Sequence, residues 1–146
     1  MSSSAKLYDD VVMDHIKNAR NYRTLAEPAL RAEGLNVLCG DGLTVYLRLD
    51  AERLGEVGFQ CECCGISMAS ASIMTEAIAG RTRHEATALH AWVVAAIEGR
   101  GEPPAGVPDV VAIVEAVKAS PSRLRCALLP WATLAAALEG RSEAQV

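Results

Sequence analysis

Cysteines at three separated places are the residues of this chain best suited to chemistry. Thiolates bind transition metals and attack sulfur, and the triplet Cys39-Gly40-Asp41 adds a carboxylate to the donor set. Each place taken alone is also compatible with a turn or core cysteine, because unpaired thiols are commonly buried. Metal or sulfur chemistry therefore requires that the fold bring the three places together. The cysteines are Cys39, Cys61, Cys63, Cys64 and Cys126.

Three of these cysteines lie in the segment 61–64, between a predicted strand and the start of a predicted helix. A helix amino terminus favours thiolate because its dipole and free N–H groups stabilise negative charge. The spacing of Cys61 and Cys64 also matches a thioredoxin-like dithiol, although the βαβ context of that fold is absent. Since Cys61 and Cys63 alternate along a strand, they share one face and can also point away from Cys64.

The histidines do not extend this donor set. His15 lies on the first predicted helix, and we interpret His84 and His90, on a later helix, as surface or packing residues. The sequence also lacks a Walker loop, a glycine-rich dinucleotide fingerprint and a G-x-S-x-G elbow. Nucleotide chemistry and serine hydrolysis are therefore disfavoured.

The overall composition is that of an ordinary globular protein with an aliphatic core. Of 146 residues, 51% are hydrophobic, 22% are charged and 4% are aromatic. The formal net charge of -4 argues against nucleic acid as a partner. No signal-peptide layout or apolar run of roughly 18 residues is present, so we expect no membrane partner and a cytoplasmic location whose reducing conditions keep the thiols free.

Periodicity predicts an α+β protein, with a small antiparallel sheet of about three strands packed against about five helices. We predict strands over 43–49 and 56–61, and we interpret 19–36 as a connecting segment. Helices are predicted over 5–18, 67–79, 83–98, 109–119 and 122–138. The whole chain, 1–146, is expected to form one domain, with a disordered tail at 1–4, a loop at 99–108 and a tail at 141–146.

Taken together, four stretches resemble the SufU/IscU family of iron–sulfur cluster assembly proteins, which also occurs as the amino-terminal domain of NifU. Residues 14–21 resemble the family's D-H-x-x-x-P-R-N, with Ala19 in place of proline. Residues 36–41 resemble N-P-x-C-G-D, with Val37 in place of proline. Residues 59–72 resemble F-x-G-x-G-C-x-I-S-x-A-S-x-S, with cysteines at its two glycine positions, and 123–127 supply the last cysteine.

Two features favour the SufU branch over the IscU branch. Arg125 stands where IscU proteins place a histidine, and the interval from Cys64 to Cys126 is longer than IscU proteins show. By this resemblance, a resting zinc ion is held by Cys39, Asp41, Cys64 and Cys126. We expect Cys126 to be the sulfur acceptor, with Cys61, Cys63 and Arg125 as candidate accessory residues.

The resemblance implies a protein that accepts sulfur from a cysteine desulfurase and works with downstream cluster assembly or acceptor proteins. Such a protein has sulfurtransferase activity only together with its partner. One alternative is a scaffold on which a transient [2Fe–2S] cluster is assembled and passed on. A second is a zinc-stabilised interaction module, or a dithiol redox protein with a reversible Cys61–Cys64 disulfide in its metal-free form.

Overall fold

A computed structural model describes residues 9–146, so the expected tail at 1–4 lies outside the described part. The helices are α1 (Asp10–Lys17), α2 (Gly65–Ile78), α3 (Arg83–Ile97), α4 (Pro108–Lys118) and α5 (Leu124–Leu138). The strands are β1 (Leu30–Leu35), β2 (Gly42–Asp50), β3 (Arg53–Glu62) and β4 (Glu143–Gln145). The architecture is α+β, as the sequence predicts.

The strands form a single sheet in the order β3-β2-β1-β4. β2 pairs antiparallel with β1 and with β3, and β4 pairs parallel with β1. Residues 143–145 therefore form an edge strand where we expected a tail, and 30–35 form a strand where we expected a connecting segment. Both strands lack the β-branched residues on which sequence-based prediction of strands depends.

Close packing of α5 on the sheet explains the sequence of β1. Ala32 is fully buried, and a Cβ added at Gly34 would lie 1.9 Å from Thr133 Oγ1 and 3.1 Å from Leu129 Cδ1 of α5. The strand therefore needs small residues on its inward face, and these give a weak strand signal. Its partner β2 has a stronger strand signal in its sequence, because Leu43, Val45 and Leu47 all point into the core.

α2 lies at the centre of the helical layer and is buried along most of its length. The chain turns after it at Gly80, with φ of +80°, and α3 begins with a capping box in which Thr82 and Glu85 exchange hydrogen bonds. The segment 99–107 connects α3 to α4, as the glycine- and proline-rich composition predicts. Within residues 9–146, no helix is both long and apolar enough to cross a membrane.

Candidate metal centre

The turn between β1 and β2 presents Cys39 and Asp41, and Asn36 organises this turn. The Asn36 side chain is buried, and its Oδ1 accepts the Leu38 N–H at 3.1 Å. Its backbone carbonyl accepts the Gly40 N–H at 2.8 Å, and its own N–H donates to the Asp41 carbonyl at 2.9 Å. Gly40 adopts φ of +78°, a conformation that glycine tolerates best. The sequence indicated Asn36 only as part of a family motif.

The junction of β3 and α2 places Cys64 beside this turn. Gly42 pairs with Glu62 across the sheet, so the Cys39–Asp41 turn faces the residues that enter α2. Cys64 is the N-cap of α2, and its backbone N–H donates to Asp41 Oδ2 at 3.1 Å. The carboxylate of Asp41 is thereby fixed at the start of the helix.

Cys126 reaches the same place from the first turn of α5. Pro130 lies inside this helix and has no N–H, so the Cys126 carbonyl lacks its usual intrahelical donor four residues later. Ser67 Oγ of α2 donates to that carbonyl at 2.9 Å. The hydroxyl of Ser67 also lies 3.7 Å from the Cys64 sulfur. One buried serine thus ties the helix that carries Cys126 to the helix that begins at Cys64.

Three of the four residues predicted as metal ligands meet in one cluster, and the fourth, Cys64, adjoins it. The ligating atoms of Cys39, Asp41 and Cys126 all lie within 4.8 Å of one another. The Cys64 sulfur is not part of this group, although it lies close enough to the Cys126 thiol to affect its pKa. Their exposures differ: Cys39 is exposed, Cys64 is half-buried and Cys126 is buried. Three elements that are distant in sequence are needed to assemble this site.

Burial, together with the hydrogen bond and charge of Cys64 and the charge of Cys39, raises the pKa of the Cys126 thiol to about 11. A hydrogen bond from Arg123 acts in the opposite direction. The guanidinium that hydrogen-bonds to Cys126 is therefore that of Arg123. The side chain of Arg125, the candidate accessory residue, is exposed, and its role stays a prediction.

The chemistry of this donor set fits a divalent transition metal. Two thiol groups and one carboxylate lie together, and the adjoining Cys64 thiol would complete the four ligands that tetrahedral zinc takes. Without a cation, neighbouring thiolates repel one another, and the charges of Cys64 and Cys39 add to the effect of burial in raising the pKa of Cys126. A bound dication offsets that repulsion, since metal ligation deprotonates thiols.

The other two cysteines pair with each other. Cys61 and Cys63 form a disulfide with their Cα atoms 5.4 Å apart, and Cys64 stays free. The Cys61–Cys64 disulfide expected of a dithiol redox protein is therefore not the one formed. Cys61 pairs across the sheet with the buried Leu43, and its sulfur lies 4.0 Å from Met68 Sδ of α2.

A second group of potential ligands contains His15, which is buried. Its Nδ1 lies 2.7 Å from Ser72 Oγ, and its Nε2 lies 3.1 Å from Asp109 Oδ2 and 3.9 Å from Glu76 Oε1. These contacts join α1 to α2 and α4. Of the other histidines, His84 is exposed and burial lowers the pKa of His90, in agreement with surface and packing roles.

A protein-family model described as the NifU-like N terminal domain matches residues 7–140. The chain belongs to this family. The match spans every helix and all but the last strand, and it confirms the resemblance found in the four motif stretches.

Over most of its length, the chain is similar to relatives whose names state a function. It is 34% identical over 129 residues to "Zinc-dependent sulfurtransferase SufU" of Bacillus subtilis, covering 88% of this chain and 86% of that protein. It is 30% identical over 146 residues to "Iron-sulfur cluster assembly scaffold protein IscU" of Streptococcus pyogenes, covering 99% and 91%. A crystal structure of a putative scaffold protein for the SUF system, FiSufU from Fervidobacterium islandicum, superposes with a TM-score of 0.84 at 31% identity, covering 90% and 96%.

Proposed function

We propose that this protein takes part in iron–sulfur cluster assembly, accepting sulfur from a cysteine desulfurase at a zinc centre formed by Cys39, Asp41, Cys64 and Cys126. The observation that carries the proposal is the convergence of Cys39, Asp41 and Cys126, with Cys64 adjoining them, from three separate elements. The zinc-dependent sulfurtransferase name of a relative that matches most of the chain supports the choice of chemistry. The need for free thiols agrees with a cytoplasmic location.

The zinc ion, when bound, keeps the ligating sulfurs deprotonated and compensates their charge. Within this chain, Asp41 is the ligand best suited to exchange, because a carboxylate binds zinc less tightly than a thiolate does. The Cys64 N–H, which donates to Asp41 Oδ2 at 3.1 Å, is placed to hold that carboxylate whether or not it ligates. The centre therefore combines three strongly binding thiolate ligands with one carboxylate ligand that can dissociate.

Exposure favours Cys39 over Cys126 as the first sulfur acceptor, in contrast to the expectation from sequence. Cys39 is exposed at the tip of its turn, whereas Cys126 is 4% exposed and lies under the other ligands. In the transfer, the Cys39 thiolate attacks the outer sulfur of the desulfurase persulfide. A sulfur–sulfur bond forms on Cys39, the donor's own sulfur–sulfur bond breaks, and the donor cysteine leaves as a thiolate.

An apolar surface beside Cys39 supports docking of a protein partner there. Leu38 is 75% exposed, Val37 is 54% exposed and Leu35 is 40% exposed, and all three lie within the four residues before Cys39. Large aliphatic side chains gathered at this exposure are typical of an interaction surface. A desulfurase that covered these residues would bring its persulfide to the exposed thiol and exclude water from the transfer.

The proposal is tested by loading anaerobically purified, zinc-containing protein with labelled sulfur from a desulfurase and mapping the label by peptide mass spectrometry. We expect label on Cys39 and strong loss of labelling in Cys39→Ser, with the fold retained by circular dichroism. Cys126→Ser is the matched control, and label on Cys126 would instead confirm the sequence expectation. A wild-type protein that binds zinc but takes no label would leave only a zinc-stabilised interaction module.

The scaffold names of several relatives favour a second candidate, in which iron and sulfide are cargo assembled into a [2Fe–2S] cluster on the same residues. Thiolates with a carboxylate are competent ligands for such a cluster. Iron and acid-labile sulfide retained in equal amounts after anaerobic reconstitution, and lost in Cys64→Ser, would support this role.

A further inference from the structure

Cys61 and Cys63 are held as a pair that the proposed sulfur transfer does not use. Their Cα atoms are 5.4 Å apart and their sulfurs are bonded, so the two thiols reach each other from their places at the end of β3. Both side chains are partly exposed. The bond links Cys61, which together with Glu62 forms the last pairs of β3, to the residue that follows the strand, and so short a loop gives little stabilisation through chain entropy. A purely structural purpose therefore explains the pair poorly.

The pair lies at the same end of the sheet as the metal centre. Glu62, between the two cysteines, pairs with Gly42, which directly follows Asp41. Cys63 directly precedes Cys64, whose backbone N–H is bonded to the Asp41 carboxylate. A persulfide formed on a cysteine of the centre would therefore lie at the end of the sheet that also carries the Cys61–Cys63 pair.

We propose that the reduced Cys61–Cys63 dithiol converts a persulfide formed at the centre into sulfide, so that the protein reduces the sulfur it receives. This inference rests on the proposed function. The outer sulfur of a persulfide is sulfane sulfur, and an iron–sulfur cluster contains sulfide, which is two electrons more reduced. A dithiol that closes to a disulfide supplies two electrons. The bonded pair in the structure is the product state of this reaction.

The reaction proceeds in two exchanges that balance. In the first, the Cys63 sulfur attacks the outer persulfide sulfur, which passes to Cys63, and the acceptor cysteine leaves as a thiol after taking up the Cys63 proton. In the second, the Cys61 sulfur attacks Cys63 Sγ, the Cys61–Cys63 disulfide forms and hydrogen sulfide leaves with the remaining protons. An external dithiol reductant returns the pair to its reduced form for another turnover.

The test uses the full-length, zinc-containing protein, reduced with a dithiol that is then removed. The protein is mixed with a desulfurase given one equivalent of labelled cysteine, and no other thiol is added. Sulfide release and protein-bound label are measured separately, with the desulfurase alone as a blank. The matched control is Cys61→Gly/Cys63→Gly, which restores the two glycines of the family motif and leaves the four proposed ligands intact.

For the wild type we expect sulfide release in step with formation of the Cys61–Cys63 disulfide, and for the double variant we expect persistent label and at least a tenfold slower release. Cys61→Ser should trap the label on Cys63, which a merely structural disulfide would not do. Equal sulfide release by the two proteins, with Cys61 and Cys63 of the wild type still reduced, would overturn the inference while the proposed function stands. Failure of both proteins to take up label would overturn the two proposals together.

Discussion

The serine that satisfies the Cys126 carbonyl should contribute more to stability than a neighbouring serine in nearly the same setting. Ser67→Ala removes the donor to the Cys126 carbonyl, and Pro130 offers no N–H to replace it. Ser70→Ala is the matched control, because Ser70 Oγ donates to the Ala127 carbonyl at 2.7 Å and is equally buried. The Ala127 carbonyl, however, also faces the N–H four residues later in α5.

The two substitutions differ in the hydrogen bonding that remains for the backbone carbonyl that the serine served. After Ser67→Ala, a buried carbonyl has no donor, which costs about 1–3 kcal/mol of unfolding free energy. After Ser70→Ala, the Ala127 carbonyl keeps its helical hydrogen bond, so the loss is that of an ordinary hydrogen bond, about 0.5–1.5 kcal/mol. In a Pro130→Ala background the new N–H can serve the Cys126 carbonyl, and the cost of Ser67→Ala should fall by about 1 kcal/mol.

Urea denaturation of the metal-free protein, followed by circular dichroism, measures these free energies for the single variants and the double-mutant cycle. Metal-free protein is needed so that altered zinc binding does not enter the stability. The reasoning is refuted if Ser70→Ala destabilises as much as Ser67→Ala. It is refuted equally if the cycle between Ser67→Ala and Pro130→Ala shows no coupling.

Three further predictions concern packing, titration and the buried histidine. Gly34→Ala places a Cβ 1.9 Å from a side-chain oxygen of α5 and should lower the free energy of unfolding, measured in urea, by about 1–3 kcal/mol. Gly42→Ala is the control: its Cβ has its nearest contact at 3.9 Å and should leave the urea midpoint almost unchanged. In metal-free protein, iodoacetamide should label exposed Cys39 at neutral pH and Cys126 only as the pH rises toward its pKa of about 11; equal rates by peptide mass spectrometry would contradict this. His15→Ala removes a buried side chain and its hydrogen bonds to buried Ser72 and half-exposed Asp109, and it should lower the unfolding free energy by about 1–3 kcal/mol. A thermal midpoint equal to that of wild type would argue that these contacts are weak.

Periodicity was sufficient to predict the elements with strong local patterns. The predictions of a helix after Cys64 and a strand at 43–49 both agree with the structure, because each segment has regularly spaced apolar residues and a recognisable end. The strands β1 and β4 were missed. The inward residues of β1 are small because Thr133 of α5 lies against Gly34, and β4 is ordered by pairing with β1 and by packing against α5. Neither cause is visible in the local sequence.

At the candidate site, too, the sequence was sufficient to predict some residues and not others. The resemblance to family motifs named Cys39, Asp41 and Cys126, which converge, and Cys64, which adjoins them, although spacing alone left each cysteine open to a core role. The role of Ser67 was missed. Ser67 acts on Cys126 across 59 positions, and its partner carbonyl is free only because of Pro130. Arg123 hydrogen-bonds to Cys126 while the side chain of Arg125 is exposed, a difference that depends on which way each side chain leaves the start of α5.

The backbone of the turn that carries Cys39 is held mainly by hydrogen bonds within residues 36–41, whereas Cys64 and Cys126 are anchored through helices that run into the core. Among the residues that the structure describes, only two bonds tie the turn to other segments, one from the Cys64 N–H to Asp41 Oδ2 and one from the Val37 N–H to the Val146 carbonyl. Opening of the centre on the turn side therefore breaks few bonds and leaves the core intact. Amide protons of Leu38 and Gly40 should then exchange with solvent through a local fluctuation, at rates that do not follow global unfolding. The protein can release part of its metal coordination without approaching the denatured state.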